Sequence, residues 1–273
     1  MFRSHCDGIS NRSGCQVIRR LKKSLGIHFS TKALSRNPDI CLRQYLRRFR
    51  SFGDLAADLL RRRAVTIVQV GANDGSANDP LRPAIRAYPD HVGRALLIEP
   101  QTGAFGRLSA RYADQPNVVC LNAAVDRQSG TRKVWSIDRD ATEAVLGRRL
   151  GDGIASFERA HVQRILRQAA GDKDPATWEQ LIVSEDVRLV TLAEAAAQAG
   201  IGNPDILLVD TEGFDAEIIS MALDTGWRPG LLHYEHKHLQ PPVRRALAAR
   251  LRQAGYCLWA DHSDVWGEMP GRD

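Results

Sequence analysis

Two apolar runs that end in loop-forming or acidic residues constrain the fold of this chain most strongly. They are TIVQVGANDG at residues 66–75 and ALLIEP at residues 95–100. A near-continuous hydrophobic run is typical of a buried parallel strand. A glycine directly after the first run lets the backbone approach a ligand, and an acid that closes the second can accept hydrogen bonds from a ribose diol. The pair therefore predicts an adenosine-containing cofactor at the carboxyl edge of a doubly wound sheet.

The turn after the first run, Gly71-Ala72-Asn73-Asp74-Gly75, narrows the choice of cofactor. It lacks the second glycine of G-x-G-x-x-G, and no Gly-Lys-Ser/Thr follows, so it is neither a dinucleotide fingerprint nor a P-loop. The carboxylate of Asp74 would repel a pyrophosphate at a helix N-terminus but would tolerate a cation. S-adenosylmethionine carries a sulfonium and an ammonium group and no phosphate, so the charge pattern favours it. The alternative for Gly71 and Gly75 is a plain strand-to-helix turn.

Charge is distributed unevenly along the 273 residues. Residues 1–63 contain 15 Lys/Arg and 4 Asp/Glu, whereas the remainder contains 23 and 28. A basic extension can bind nucleic acid or make peripheral contact with an anionic membrane surface. The alternative, which we prefer, is a solvated helical face whose arginine stems cover apolar surface.

Cysteine usage and hydropathy exclude several classes of protein. The five cysteines never form a C-x-x-C pair, which argues against a disulfide framework and a cysteine zinc site. No apolar stretch approaches the roughly 20 residues of a transmembrane helix, and the N-terminus lacks the apolar core of a signal peptide. We therefore expect a cytoplasmic protein without a transmembrane segment.

The chain divides into a basic N-terminal extension, residues 1–63, and a sheet domain, residues 64–273, with an insertion at 126–190. In the extension, Asn37-Pro38 predicts the start of the first of two short amphipathic helices. Alternating strand and helix patterns then predict an α/β, mostly parallel seven-stranded sheet that ends in an antiparallel hairpin. The predicted strands are 65–70, 94–98, 117–121, 205–209, 231–234, 256–260 and 265–269, and the predicted helices of this domain are 80–88, 103–112, 192–199 and 242–254. The insertion shows little strand character, and we expect it to shape the substrate site.

Two further segments bring acids and histidines to strand ends. ILLVDTEGFDAEII, residues 206–219, ends its strand at Asp210 and continues into a turn with Glu212. LLHYEHKHL, residues 231–239, delivers Glu235, His236, Lys237 and His238. Ligands of open α/β sheets bind outside the carboxyl ends of the strands, so these residues predict a site for proton transfer or metal binding.

In combination these segments resemble the FkbM-type methyltransferases. The matching residues are VGANDG (70–75), LLIEP (96–100), NAAV (122–125), GIASFERAHV (153–162), LLVDTEGFDAEII (207–219) and the YEHKHL stretch (234–239). The resemblance covers residues 64–269. It implies a Rossmann-like class I methyltransferase fold, S-adenosylmethionine as cofactor, and O-methylation of a sugar, glycan or other small molecule.

The resemblance also implies a role for each matching residue. The residues expected to line the methionine moiety are Gly71, Asn73, Asp74 and Gly75; Glu99 would bind the ribose hydroxyls, and Asn122 and Ala123 would flank the adenine. Asp210 would face the cofactor's amino end or the substrate. We expect Gly71→Val and Glu99→Ala to abolish cofactor binding and leave the fold intact. For Asp215 and Glu217 we prefer simple charges at a helix N-terminus, which the helix dipole favours.

Methyl transfer to an alcohol requires that the hydroxyl proton be removed as the new bond forms. The candidates for the base are His236 and Glu212, and we prefer them to a metal. A divalent cation held by Asp210, Glu212 and Glu235 is the second mechanism, and no metal is predicted. Alternative functions are a nucleic-acid methyltransferase that uses the basic extension, against which the absence of N-P-P-Y and D-P-P-Y argues, and a cofactor-binding protein without catalysis.

Overall fold

The computed structural model describes residues 51–76, 79–148, 150 and 154–272. The predicted helix that begins at Asn37-Pro38 lies outside the described residues, as does most of the basic extension, so its contacts with nucleic acid or a membrane stay predictions. The compact unit that contains the sheet begins at Ser51, earlier than the boundary expected after residue 63. None of the helices in the described ranges is both long and apolar enough to cross a bilayer.

Eleven strands and nine α-helices make up the described residues. In chain order they are α1 Phe52–Arg62, β1 Val65–Val70, α2 Arg82–Ala87, β2 Val92–Ile98, α3 Thr102–Arg111, β3 Val118–Leu121, β4 Ala124–Val125, β5 Gly130–Ile137, α4 Arg139–Leu146, β6 Ala155–Ser156, α5 Arg159–Ala170, α6 Pro175–Glu179, β7 Ile182–Val190, α7 Leu192–Gln198, β8 Ile206–Val209, α8 Asp215–Asp224, β9 Leu231–Glu235, α9 Pro241–Gln253, β10 Cys257–Ala260 and β11 Asp264–Glu268. A short 3-10 turn, Pro89–His91, precedes β2.

The main sheet has seven strands in the order β10-β11-β9-β8-β1-β2-β3. The five strands from β9 to β3 are parallel, and β11 runs antiparallel to both of its neighbours, β9 and β10. This confirms the predicted fold, including the final hairpin. Strand order reverses between β1 and β8, so the crevice at their carboxyl ends is the expected ligand position in such sheets.

Helices cover both faces of this sheet because its central strands are apolar on both sides. One apolar core joins α1, α2 and α3 to side chains such as Ile67, Leu97 and Leu208. The other joins α7, α8 and α9 to side chains such as Val68 and Leu207. The sheet is thus a rigid platform that fixes the positions of the loops at its carboxyl edge.

The insertion differs from the expectation of little strand character. Its two long strands, β5 and β7, pair antiparallel over their whole length and form a second sheet with β4 and β6. Adjacent charged residues, Arg132-Lys133 in β5 and Glu185-Asp186 in β7, hide the strand pattern in the sequence. One charge pair joins the two strands, between Lys133 Nζ and Asp186 Oδ1 at 3.2 Å. Opposite charges on facing positions stabilise a sheet. Helices α4, α5 and α6 share a separate apolar core around the fully buried Trp178.

Helix α1 belongs to the core of this unit, so we expect Leu60→Ala to destabilise the protein. Leu60 is fully buried against the sheet, and a buried Leu→Ala change costs about 2–5 kcal/mol. Urea unfolding of the full chain measures the loss. Val243→Ala on α9 is the control, because Val243 is 41% exposed and such changes stay within about 0.5 kcal/mol. A wild-type midpoint for Leu60→Ala would contradict the placement of α1.

Candidate active site

Three contacts draw the loops of the carboxyl edge together. The backbone N–H of Asn73, after β1, donates to Glu99 Oε2, after β2, at 2.8 Å. The backbone of Gly71 lies directly against the carbonyl oxygen of Asp210, after β8. The backbone N–H of Glu235, at the end of β9, donates to Asp215 Oδ1 at 3.1 Å. The edges of four neighbouring strands therefore form one continuous site.

The two glycines of the loop after β1 make room for protein atoms. Gly71 has φ +82°, and a Cβ atom on it would lie 1.7 Å from the carbonyl oxygen of Asp210. Gly75 has φ +62°, and its Cβ would lie 2.8 Å from Leu108 Cδ1 and 3.1 Å from Tyr112 Cε2. Both glycines are therefore explained by packing and a left-handed backbone. The expectation that Gly71→Val leaves the fold intact is wrong on this geometry.

Asn73 and Asp74 shape the same loop. Asn73 has φ +49°, a conformation that asparagine tolerates better than most residues, and its Oδ1 accepts from the Asp74 N–H at 2.7 Å. The Asp74 carboxylate faces α3, where Arg107 Nε lies at 3.6 Å and Arg111 Nη2 at 4.0 Å. Burial opposes ionisation of Asp74, but hydrogen bonds from Ser76 and these two arginines hold its pKa below the ordinary value. The carboxylate thus already has cationic partners, and its contact with a cofactor stays a prediction.

Glu99 is a buried carboxylate directly after β2, at the carboxyl edge of the sheet. It is 3% exposed, and its two oxygens accept the backbone N–H groups of Asn73 and Gln101, at 2.8 and 2.9 Å. Burial raises its pKa to about 7 against these hydrogen bonds, with a further contribution from Glu185. An ionised carboxylate offers about four acceptor positions, so Glu99 keeps capacity for two hydroxyl donors.

Asn122 and Ala123 take different places. The side-chain amide of Asn122 donates to the carbonyl oxygens of Glu99 and Pro100 at 2.9 and 3.0 Å, so it supports the Glu99 loop. Ala123 is fully buried in the apolar core next to α7. Its side chain has no surface to offer an adenine ring, contrary to the expectation for this residue. Asn122 stays a predicted neighbour of the adenine.

The turn after β8 is organised by Asp215. This carboxylate is fully buried and accepts from Thr211 Oγ1 at 2.9 Å and from the N–H groups of Thr211 and Gly213 at 3.3 Å. Together with the bond to Glu235, these contacts join two loops, so the expectation of a simple helix N-terminal charge is wrong for Asp215. Burial raises its pKa to about 6. Glu217 does not reach this turn and pairs with Arg127 at 2.5 Å.

Asp210 and Glu212 are the acids of this turn. Although Asp210 is an exposed residue, desolvation of its carboxyl raises its pKa to about 8, and neighbouring carboxylates, Glu235 first, act in the same direction. Glu212 has φ +54°; Asn73 and Glu212 are the two non-glycine residues with positive φ in the described part of the chain. Backbone conformations of this kind cluster at functional sites. Burial and the charge of Glu235 raise the pKa of Glu212.

Glu212, Glu235 and His238 form what we call the acid–histidine cluster. His238 Nε2 lies 2.9 Å from Glu212 Oε2 and 3.3 Å from Glu235 Oε2. Lys237 Nζ binds the other oxygen of Glu235. Burial lowers the pKa of His238 although Glu235 opposes the shift. One ligand atom from each of the three residues lies within 4.8 Å of the others, a spacing that can hold a metal ion.

His236, the histidine predicted as the base, lies elsewhere. Its Nε2 is 3.3 Å from the carbonyl oxygen of Asp261, in the turn between β10 and β11, and its backbone N–H donates to Ser263. The structure brings His238 to Glu212 instead. The signal was present in the sequence, because Glu235 and His238 stand at i and i+3, a spacing that a turn after a strand brings together.

The insertion reaches the edge at two points. The His161 ring on α5 lies edge-on to the His238 ring, with centroids 6.1 Å apart. Near the loop after β2, Thr102 Oγ1 donates to Glu185 Oε2 of β7 at 2.6 Å. His161 belongs to the segment 153–162 noted in the sequence, of which residue 153 lies outside the described part. Neither contact could be inferred from spacing.

A family model for the methyltransferase FkbM domain matches residues 69–258, well over half of the chain. The chain belongs to the FkbM methyltransferase family. The match confirms the resemblance drawn from the sequence motifs, and it implies S-adenosylmethionine as the cofactor. The buried, acceptor-rich Glu99 fits the ribose of such a cofactor.

Several solved methyltransferases are similar to this FkbM-family chain. Methyltransferase FkbM from Methylobacillus flagellatus KT has 12% identity and a TM-score of 0.46 over 93% of this chain and 60% of that one. Precorrin-6y C5,15-methyltransferase from Geobacter metallireducens GS-15 has 11% identity and a TM-score of 0.38, with coverages of 79% and 84%. Aeropyrum pernix fibrillarin, bound to S-adenosyl-L-methionine, has 12% identity and a TM-score of 0.35, with coverages of 78% and 73%. These similarities concern the fold alone, and no curated protein matches the sequence.

In this FkbM-family site we expect Gly71→Ala to destabilise the fold itself. A left-handed alanine costs about 1–2 kcal/mol, and the overlap with the Asp210 carbonyl adds an overpacking cost of about 1–3 kcal/mol. Gly106→Ala in α3 is the control, because an added Cβ there meets no atom within 4 Å; it should stabilise the helix by about 0.5–1 kcal/mol. Thermal unfolding compares the two variants, and equal melting temperatures would refute the packing role of Gly71.

Proposed function

We propose that this protein transfers the methyl group of S-adenosylmethionine to a hydroxyl oxygen of a sugar, a glycan or another small molecule. The observation that carries the proposal is the pairing, on one sheet edge, of the buried Glu99 carboxylate with the acid–histidine cluster. The first suits a ribose diol, and the second suits the removal of a hydroxyl proton. The Gly71 backbone, packed against Asp210, connects the two halves.

Glu99 is the residue that we expect to hold the cofactor. Its oxygens are fixed by the N–H groups of Asn73 and Gln101, so the carboxylate is oriented before a ligand binds, and orientation in advance lowers the entropic cost of binding. When bound, S-adenosylmethionine supplies an already activated methyl group on a sulfonium. The protein therefore has to position the acceptor and to remove the proton of its hydroxyl group.

The acid–histidine cluster is the group that we expect to act on the acceptor hydroxyl. Asp215 holds the β8 turn and the end of β9 in place through four donors. The backbones that carry Glu212 and Glu235 are consequently held in place, and preorganised groups of this kind contribute most of the electrostatic stabilisation of a transition state. Asp210 lies on the same turn, next to the cofactor loop. We infer that these groups lower the free energy needed to remove the hydroxyl proton.

The charge of this edge supports a neutral, hydroxyl-bearing acceptor over a nucleic acid. Glu212 and Glu235 place carboxylates at the edge, Asp210 adds a carboxyl group, and Lys237 is their cationic neighbour. Carboxylates repel phosphates, which dominate nucleic-acid binding. They do accept hydrogen bonds from hydroxyl groups, and a sugar presents several of these.

Calorimetry with S-adenosylmethionine and its product S-adenosylhomocysteine, followed by an acceptor panel, tests the function. The panel contains free sugars, methyl glycosides and small alcohols, and the readout is release of S-adenosylhomocysteine. We expect both nucleosides to bind and at least one hydroxyl compound to be methylated. Failure of both nucleosides to bind would overturn the cofactor assignment, and methylation of RNA alone would overturn the acceptor class.

Cofactor affinity should depend on pH through Glu99. Its pKa of about 7 lies above that of an ordinary carboxyl, and the ionised form is the better acceptor for a ribose diol. Affinity should therefore fall as the pH drops from 8 to 6, with release of a proton on binding, which titration calorimetry in two buffers of different ionisation enthalpy detects. Glu99→Gln should weaken binding by about 1.5–3 kcal/mol and lose this part of the pH dependence. If Glu99→Gln binds S-adenosylmethionine with wild-type affinity, the assignment of Glu99 to the ribose is wrong.

His238, and not His236, should matter for turnover. His238→Ala removes the histidine of the cluster, and we expect turnover to fall by roughly 10²–10⁴-fold with cofactor affinity unchanged. His236→Ala removes a ring that contacts only the β10–β11 turn among its described partners, so its loss should be less than roughly tenfold. Steady-state kinetics on the best acceptor compares the two. The reverse order would restore His236 as the base.

A further inference from the structure

Three ligand atoms of the acid–histidine cluster point at one another without forming good hydrogen bonds. Glu235 is 6% exposed, and its Oε2 is buried and has no hydrogen-bond partner. His238 Nε2 is also buried and has no hydrogen-bond partner, although it lies within 3.3 Å of two carboxylate oxygens. Lys237 occupies only Oε1 of Glu235. A buried carboxylate oxygen without a donor is costly, so something that accepts electron pairs belongs between these atoms.

The spacing of these atoms identifies the missing partner. The separations from His238 Nε2 are 2.9 Å to Glu212 Oε2 and 3.3 Å to Glu235 Oε2. Ligands bound to one metal at about 2.0–2.2 Å stand about 3 Å apart at right angles and slightly farther apart in a tetrahedron. A proton shared by one pair of atoms would leave the third without a partner, whereas a cation contacts all three.

The backbone around the cluster is fixed before any cation binds. Glu212 is held in a left-handed conformation at φ +54°. Asp215 accepts hydrogen bonds from the turn on either side of Glu212 and from the N–H of Glu235. Partners that orient the ligand-bearing segments in this way are typical of metal sites. The side chains of His238 and Glu212 are 29% and 30% exposed, which leaves one face of the cluster open.

We propose that Glu212, Glu235 and His238 bind one divalent transition-metal cation, with open coordination positions toward the crevice. Two carboxylates and one imidazole favour Mn²⁺, Fe²⁺ or Zn²⁺ over Mg²⁺ and Ca²⁺, which prefer oxygen ligands alone. The ligand set differs from the second mechanism considered for the sequence, because His238 takes the place given there to Asp210. The role of the cation, lowering the pKa of a bound hydroxyl, rests on the function proposed above, whereas its binding does not.

Mn²⁺ alone is the probe, on the full chain without cofactor or acceptor. Thiols bind Mn²⁺ poorly, so the five cysteines of the chain do not compete. Titration followed by electron paramagnetic resonance should give one bound Mn²⁺ per chain, and pulsed measurements should show coupling to an imidazole nitrogen. Glu212→Gln and Glu235→Gln should each weaken binding by at least roughly tenfold, and His238→Gln should abolish the nitrogen coupling. Glu217→Gln, on the first turn of α8, is the matched control and should bind as the wild type does.

Each outcome decides the proposal. Absence of stoichiometric Mn²⁺ binding to the wild type overturns it, and so does unchanged affinity and nitrogen coupling in all three cluster variants. Because Glu235 is buried, its variant is compared by thermal unfolding first; Glu212→Gln and His238→Gln, both at half-exposed positions, keep the test valid if Glu235→Gln unfolds. Methyl transfer that persists in the presence of a chelator, in a protein that binds no Mn²⁺, would overturn the metal site and leave the proposed function standing.

Discussion

One buried carboxylate, that of Asp215, determines the geometry on which the rest of the site depends. It accepts hydrogen bonds from the turn after β8 and from the end of β9, two segments that the parallel sheet places side by side. Without it the left-handed Glu212 and the buried Glu235 would have no common anchor. Burying an ionised carboxylate is unfavourable, and four hydrogen-bond donors to Asp215 offset that cost. The result is a rigid acidic edge on a rigid sheet.

The loops around Glu99 are organised in a similar way, because neighbouring loops of the protein already satisfy their polar groups. Glu99 accepts from two backbone N–H groups, Asp74 faces the arginines of α3, and the glycines make room for protein atoms. The residues of the family motif therefore serve the shape of the loops first. Under the proposed function, the acceptor capacity that remains on Glu99 is what a ligand would use.

Most of the fold, but less of the site, could be predicted from the sequence. The strands and helices of the main sheet lie within two residues of their predicted bounds, because buried parallel strands are apolar throughout. The strands β5 and β7 were not predicted because adjacent charged residues interrupt their apolar pattern, and the pairing of Lys133 with Asp186 shows only in the folded sheet. The i, i+3 spacing of Glu235 and His238 was a sequence signal for His238 in place of His236. The part played by Asp215 depends on where a turn points its side chains, which residue type and order do not determine.

The insertion has an apolar core of its own, which affects where the protein can accept substitutions. Helix α5 places His161 against His238, yet its apolar face packs on α6 and on Trp178, away from the main sheet. Substitutions on the exposed face of α5 can therefore alter the wall of the crevice without disturbing the strands that carry Glu99 and Glu235. The insertion and the strands that carry Glu99 and Glu235 are built on different cores, so the first can diversify among FkbM-family proteins while the second stays constant.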